Sequence, residues 1–379
     1  MYLKILHAYK SYRPDPTGGV AEAISTLVSA DAPHLDHRIL IARSCGLSRR
    51  FVDNGVAVRA VSSLGTFRSL PIAPGYAFAF TREAGRADLV VHHAPFPLTD
   101  LGLTFPLPKR VALIVHWHAD VVRSRLAVNL VAPLLRHSLH RADRIIVAHE
   151  SIIENSSFLQ EFSRKCVVVP YGIDVAYWAE LTNQERRQVR ELRKRYRRLI
   201  VSTGRLVPYK GYDVLLHALQ QIDATLVIIG NGPMRRELLK LAKDLHVNDR
   251  FNLIGHQERN NMKLILHAAQ VFAFSSVSAA ESFGIAQLEG MAAGLPIVNT
   301  ALPTAVPHVA RHEIEGLTVP PGDANALASA LAKLLNNEEL AMQFGRAGRV
   351  RVEEKFSHAN FRSRIMRIYE ETVLSRGST

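Results

Sequence analysis

The stretch RLIVSTGRLVPYKGYDVLLHALQQIDATLVIIGNGP, residues 198–233, decides the fold class. Residues 199–203 are a short apolar, partly β-branched run, the pattern of a buried strand. The run stops at Gly204. After a polar loop, residues 211–222 place apolar side chains at helical spacing. Residues 224–229 are a second buried strand, closed by a Gly-Asn-Gly-Pro turn. MRRELLKLAKDL (234–245) then reads as an amphipathic helix. Strand, loop, helix, strand is the repeating unit of a parallel α/β sheet.

The alternation extends both ways. Downstream come RFNLIGH (250–256), NMKLILHAA (261–269), VFAFSS (271–276), PIVNT (296–300), GLTVPP (316–321) and ANALASALAKLLN (324–336). Upstream, YLKILHAY (2–9) is a strand, KSYRPDPTGGVAE (10–22) a Pro- and Gly-broken loop, and VAEAISTLVSAD (20–31) a helix. Further strands are predicted at 37–42, 87–93, 110–118, 143–149 and 165–172, with a helix over 124–141. The expected architecture is two doubly wound, Rossmann-like domains facing a central cleft. The boundaries are 1–172 and 173–358, the second including a polar, Arg- and Lys-rich linker region at 180–198. A final helix in 359–379 is expected to cross back to the first domain.

Composition bounds the function. A chain of 379 residues suits two domains, and 47% hydrophobic with 21% charged residues suits a globular one. Two cysteines, Cys45 and Cys166, build no disulfide framework and point to a reduced, cytoplasmic setting. MYLKILHAYK lacks the apolar run of a signal peptide, and no stretch approaches the ~18 apolar residues of a membrane span. The net charge of +13 fits an acidic partner (nucleic acid, anionic lipid or a phosphorylated small molecule) or simply a basic solvated surface. No zinc-finger spacing or aromatic RNA-binding signature accompanies it, so nucleic acid is not expected. The segment RSRLAVNLVAPLLRHSLHRADR (123–144) reads equally as a helix on an anionic membrane surface or as a core-facing helix with a basic outer face. A basic loop holding Arg43, Arg49 and Arg50 fits either.

In doubly wound sheets ligands bind beyond the carboxyl ends of the strands. Gly18 and Gly19 there precede a helix, where backbone N–H groups can approach an anion. Arg205 and Lys210, flanked by Gly204 and Gly211, place two cations where a diphosphate would suit them, though surface cations on a loop look the same. The P-loop spacing is absent, and GNGP does not fit the dinucleotide pattern. His116 and His118 end a strand, with Asp120 after them. Alternation puts both rings on one face, without an evident third metal ligand.

The last pattern is AAESFGIAQLEGMAAGLPIV, 279–298, with Glu281 and Glu289 eight residues apart. On one helix they would stand ~12 Å apart and ~80° around the axis. That exceeds the ~5–9.5 Å of a glycosidase carboxylate pair. Glu281 is better placed in a loop before a helix that starts near Gly284 and carries Glu289; the two then touch different parts of one ligand, or are a helix-capping glutamate and a paired helix glutamate.

Together GRLVPYKGYD, IIGNGP, VVPYGID and the E-x7-E element resemble the retaining GT-B glycosyltransferases of family 4, over essentially the whole chain. The resemblance implies a first domain on the acceptor side and a second holding a nucleotide-sugar donor. It implies that Arg205 and Lys210, with Gly18 and Gly19, hold the donor diphosphate. Ser282, Phe283 and Gly284 would offer backbone contacts to phosphate or sugar, and Glu289 would bond the ribose. Glu281 and His118 would act at the donor sugar, with His116 in reserve. No metal or other cofactor is expected: cations and N–H groups can carry the leaving charge, and no D-x-D pair is present. Tyr171 departs from the asparagine usual in PYGID. With VHWHADVVR and HRADRIIVAHES, it resembles a bacterial rhamnosyl/mannosyltransferase subgroup. That implies GDP-mannose as donor and a lipid-linked or growing saccharide as acceptor, the enzyme resting on the inner face of the membrane. UDP-glucose or GDP-rhamnose donors, an epimerase or phosphorylase, and a non-catalytic binder of anionic glycan are the rivals. The base pocket is expected near His256.

Overall fold

The structure, a computed structural model, describes residues 2–14, 19–28, 34–67, 70–120 and 125–377. It divides into two compact units, Met1–Tyr171 with Ala359–Thr379, and Gly172–His358.

Among its described residues the first unit has ten strands: β1 (Leu3–Tyr9), β2 (Leu35–Ala42), β3 (Arg49–Asp53), β4 (Val56–Val61), β5 (Thr66–Phe67), β6 (Leu70–Pro71), β7 (Leu89–Ala94), β8 (Ala112–Trp117), β9 (Arg144–Val147) and β10 (Cys166–Val168). Eight form one sheet in the order β10-β9-β8-β7-β1-β2-β4-β3, and β5 pairs with β6 apart from it. Every pairing in the large sheet is parallel except β3 with β4. Chain order reverses between β1 and β7. Ile24, Ile39 and Ile41 pack in one core cluster, and Leu40, Tyr76, Phe80 and Val90 in another. The helix His358–Gly377 packs on this unit: Ile365 and Tyr369 are fully buried, and Arg376 Nε meets Asp143 Oδ1 at 2.9 Å.

Arg49 and Arg50, expected in a loop, lie on the antiparallel edge strand β3. An edge strand tolerates charge on both faces, so its composition hides it.

The helix Arg125–Arg141 buries Ala132, Leu135, Ser138 and Leu139 and exposes Arg136, His137 and His140. Over this part the helix is core-facing with a basic outer face. The start of the proposed membrane segment, residues 123 and 124, and the side chains of 125–127, 129 and 130, lie outside the described residues. No helix among the described residues is long and apolar enough to cross a membrane.

The second unit holds β11 (Leu199–Thr203), β12 (Thr225–Ile229), β13 (Phe251–Leu253), β14 (Val271–Ala273), β15 (Ile297–Thr300) and β16 (Gly316–Val319). They form one parallel sheet, β13-β12-β11-β14-β15-β16, the strand order of a dinucleotide-binding fold. The switch point falls between β11 and β14.

The region read as a linker, 180–198, contains instead the helix Asn183–Arg195 of this unit. Thr182 and Glu185 close a capping box at its start, and Glu185 Oε1 meets the buried Lys263 Nζ at 2.7 Å. Its exposed arginines Arg186, Arg187 and Arg190 dominate the composition while Val189 alone supplies a buried apolar contact, so the segment reads as polar chain.

Candidate active site

The second unit concentrates the chemistry at its switch point. β11 ends into Gly204, at φ +150°, and the loop continues to Lys210 and Gly211, at φ +63°. Both values favour glycine. A Cβ on Gly211 would stand 2.1 Å from the carbonyl oxygen of Ser275, in the loop after β14. The two loops therefore meet backbone against backbone. Val277 N donates to Tyr209 O at 2.8 Å, and Ser275 Oγ to Lys210 O at 3.0 Å.

This contact brings Lys210 Nζ within 2.5 Å of Glu281 Oε2, both side chains mostly buried. Ser276 Oγ donates to the same carboxylate at 3.1 Å, and Nζ stands 4.9 Å from the centre of the Phe274 ring. Burial works to lower the Lys210 pKa, but Glu281 and then Tyr212 push it up, and the net shift is upward. Lys210 is therefore a fixed cation. Arg205 is exposed on the same loop.

Past Glu281 the chain reaches Gly284, at φ +82°, which caps the helix Ile285–Ala292. A Cβ there would come within 2.7 Å of the Phe274 ring. The helix start thus lies beside the ring that also flanks Lys210. Phe283 is buried, and the Ser282 hydroxyl is buried without a hydrogen-bond partner among the described residues. Glu289 is half-buried on the helix. Gln287 anchors the helix from inside: its Oε1 accepts from Asn299 Nδ2 at 2.8 Å, and Asn299 Oδ1 accepts from Thr318 Oγ1 at 2.7 Å. Sequence reading missed this buried polar string; a glutamine inside an apolar helix face was its only signal. His256 is exposed beyond β13.

In the first unit Gly19 is the exposed first residue of the helix Gly19–Val28, and Gly18 lies outside the described residues. His118 follows β8 and is buried. Its ring stacks on His116 with centroids 4.3 Å apart, as strand alternation predicts. Both ring nitrogens of His118 are engaged, Nε2 by His93 Nδ1 at 2.8 Å and Nδ1 by the Tyr171 hydroxyl. His116 is fully buried with neither nitrogen bonded among the described residues. Burial pushes the His116 pKa down to about 3 and holds His118 and His93 well below the usual imidazole range. Asp120 accepts from Trp117 Nε1 at 3.0 Å and Ser156 Oγ at 2.7 Å.

His93, on β7, is the third histidine that sequence reading did not find. His93, His116 and His118 offer ring nitrogens within 4.8 Å of one another, the spacing of a metal-binding cluster. His93 and His118, however, are nearly parallel at 13° and meet nitrogen to nitrogen, while His116 stacks on His118 at 25°. The His93 and His118 nitrogens that meet therefore face each other, whereas metal ligands turn their lone pairs to one common point. Two of these nitrogens are also already bonded to each other. Hydrogen bonding describes the cluster better than metal ligation.

The chain resembles known proteins over nearly all its length. The family described as Glycosyl transferases group 1 matches residues 183–351, and the Glycosyl transferase 4-like domain matches residues 18–172. D-rhamnosyltransferase WbpZ of Pseudomonas aeruginosa is 28% identical over 356 residues, spanning 94% of this chain and 92% of that protein. O-antigen chain mannosyltransferase C of Escherichia coli is 25% identical over 389 residues, spanning 99% and 100%. The solved structure of Anabaena HepE in complex with UDP matches with a TM-score of 0.80 at 17% identity, covering 97% of this chain and 100% of that one.

Proposed function

The chain belongs to the group 1 and 4-like glycosyl transferases and has their GT-B fold, and from that premise we propose that it moves mannose from GDP-mannose onto a lipid-linked or growing saccharide. In this reading the product serves bacterial cell-surface polysaccharide assembly, and the anomeric configuration is retained. The observation that carries the donor site is the Lys210–Glu281 pair, closed at the switch point beside the glycine-capped start of the helix Ile285–Ala292.

Breaking the bond between the sugar and the diphosphate leaves negative charge on the leaving group. Lys210 and Arg205 face that charge, with Gly18, Gly19 and the backbone of Ser282, Phe283 and Gly284 adding N–H groups. Glu281 holds the sugar hydroxyls near the reacting carbon and keeps Lys210 placed. Glu289 bonds the ribose. His118 approaches the sugar. The acceptor hydroxyl loses its proton as it bonds to the sugar carbon, and the departing diphosphate takes that proton up. No metal is assigned a part, so transfer in excess EDTA should match transfer without it.

GDP-mannose rests on the mannosyl- and rhamnosyltransferase relatives together with the Tyr171 sequence pattern. A thermal-shift screen against GDP, UDP, GDP-mannose and UDP-glucose, followed by transfer assays, tests it. Stabilisation by the uridine compounds and not the guanosine ones would overturn the donor. Sedimentation with anionic and neutral vesicles tests peripheral binding to the inner membrane face; equal recovery with both would remove it.

A further inference from the structure

Four histidines and a tyrosine form one continuous hydrogen-bonded line through the sheet of the first unit. The Tyr171 hydroxyl bonds His118 Nδ1. His118 Nε2 bonds His93 Nδ1 at 2.8 Å, His93 Nε2 bonds His7 Nδ1 at 3.1 Å, and His7 Nε2 bonds His37 Nδ1 at 3.0 Å. The histidines come from the end of β8 and from β7, β1 and β2, which is the order in which those strands lie. All five side chains are buried. His116 stacks beside His118, Tyr9 stands 6.1 Å from His93, and Tyr369 stands 6.2 Å from His7.

Burial, the largest cause for each, holds His7, His93 and His118 well below the ordinary imidazole value and His37 at about 4. At neutral pH each ring therefore carries one N–H and one lone pair. Rings joined nitrogen to nitrogen then have two self-consistent arrangements: every N–H points toward His37, or every N–H points toward Tyr171. One ring in the other tautomer leaves two N–H groups, or two lone pairs, facing each other out of reach of water. The tautomer of His118 is therefore not its own; it is shared along the line.

We propose that His93 and His7, backed by His37, are positioning residues that fix the tautomer of His118, so that His118 meets the sugar through Nδ1 in exchange for the Tyr171 hydroxyl. Nε2 is not open to exchange, because releasing it strands His93 as well. This rests on the reading of His118 as a substrate-facing residue. Its consequence is directional: one polarity makes Nδ1 an acceptor for a sugar hydroxyl, the other makes it a donor.

The test pairs two substitutions of His93. His93→Asn keeps a polar group near the position of Nδ1, toward His118; His93→Gln keeps one near Nε2, toward His7. Histidine-labelled protein is examined by two-bond 1H–15N correlation, with single histidine substitutions giving the assignments. In the parent protein His118 should share one neutral tautomer with His93, His7 and His37. It should keep that tautomer in His93→Asn and become a mixture in His93→Gln. Transfer should follow, with kcat roughly tenfold lower in His93→Gln than in His93→Asn and the donor KM alike in both. Rescue by asparagine and not by glutamine is what a merely structural role would not give, since both variants remove the same ring. Unlike tautomers among His118, His93, His7 and His37 in the parent protein, or equal spectra and rates for the two variants, would overturn the line. Unimpaired transfer by His118→Ala would instead overturn the substrate-facing reading, leaving the spectra as an independent record of the hydrogen bonds.

Discussion

Lys210 Nζ and Glu281 Oε2 are 2.5 Å apart, an ion pair closed between the loops that follow β11 and β14. Neither loop makes sense alone. The lysine sits where burial opposes its charge, and the glutamate is what keeps that charge in place.

Glu281→Gln should therefore damage the protein twice. Leaving one member of a buried pair unpaired costs about 3 kcal/mol. Losing a group set at the developing charge lowers transfer by about a hundredfold or more. Urea denaturation and a transfer assay on the same preparation read both effects. An unchanged urea midpoint would mean that Lys210 finds its compensation elsewhere.

Arg205→Ala should separate the two effects. The side chain is exposed, so stability should change by less than about 0.5 kcal/mol. Transfer should still fall about a hundredfold if the guanidinium faces the leaving diphosphate. Normal transfer by this variant would move the phosphate site away from the loop after β11.

Gly230→Ala tests how tightly the loops are nested. Gly230 is at φ +154°, and a Cβ there would lie 1.9 Å from the Gly204 carbonyl oxygen. The loop bearing Arg205 and Lys210 must shift to admit it. A loss of about 2 kcal/mol in stability is expected, with a donor KM several-fold higher in steady-state kinetics. Wild-type KM would show that the loop does not touch the donor.

Acid should weaken the first unit. Burial pushes His116 down to about 3 and His37 to about 4, so both are neutral in the folded protein. The unfolded chain takes up their protons first, near 6.5. Their contribution is thus complete above that pH and is lost as pH falls from 6.5 toward the folded values. Well below 6.5 each costs up to about 1.4 kcal/mol per pH unit. Urea unfolding at pH 7.5 and pH 5 measures the slope, and His116→Leu should flatten it by one histidine's share. A slope that His116→Leu leaves unchanged would place the lost stability elsewhere.

Local patterns carried much of this architecture. The strands β11, β12, β14 and β15 are apolar runs ended by turn residues, and the pairing of His116 with His118 follows from alternation alone. Glu281 before a glycine-capped helix and Glu289 on it was likewise legible, because Gly284 marks the helix start. What could not be read is which strands lie side by side. Lys210 meets Glu281 because β11 neighbours β14, and His93 joins His7 and His118 because β7 lies between β1 and β8. Strand order is set by the packing of the whole unit and leaves no trace in local composition. The helix Asn183–Arg195 and the edge strand β3 were hidden for a different reason: both bury too little apolar surface to announce themselves.

The helix His358–Gly377 covers the histidine face of the first unit, Tyr369 lying over His7 and Phe361 beside His116 and Tyr171. Those residues emerge from the ribosome only after the whole second unit. At about 5–20 residues per second, the nascent first unit waits on the order of ten seconds or more for the whole second unit to be made before its lid arrives. A shortened chain ending before Ala359 would keep every strand of both sheets and still leave that face bare. The first unit is thus a domain in space but not in time, and expressing its N-terminal stretch alone should yield a sticky, incomplete protein.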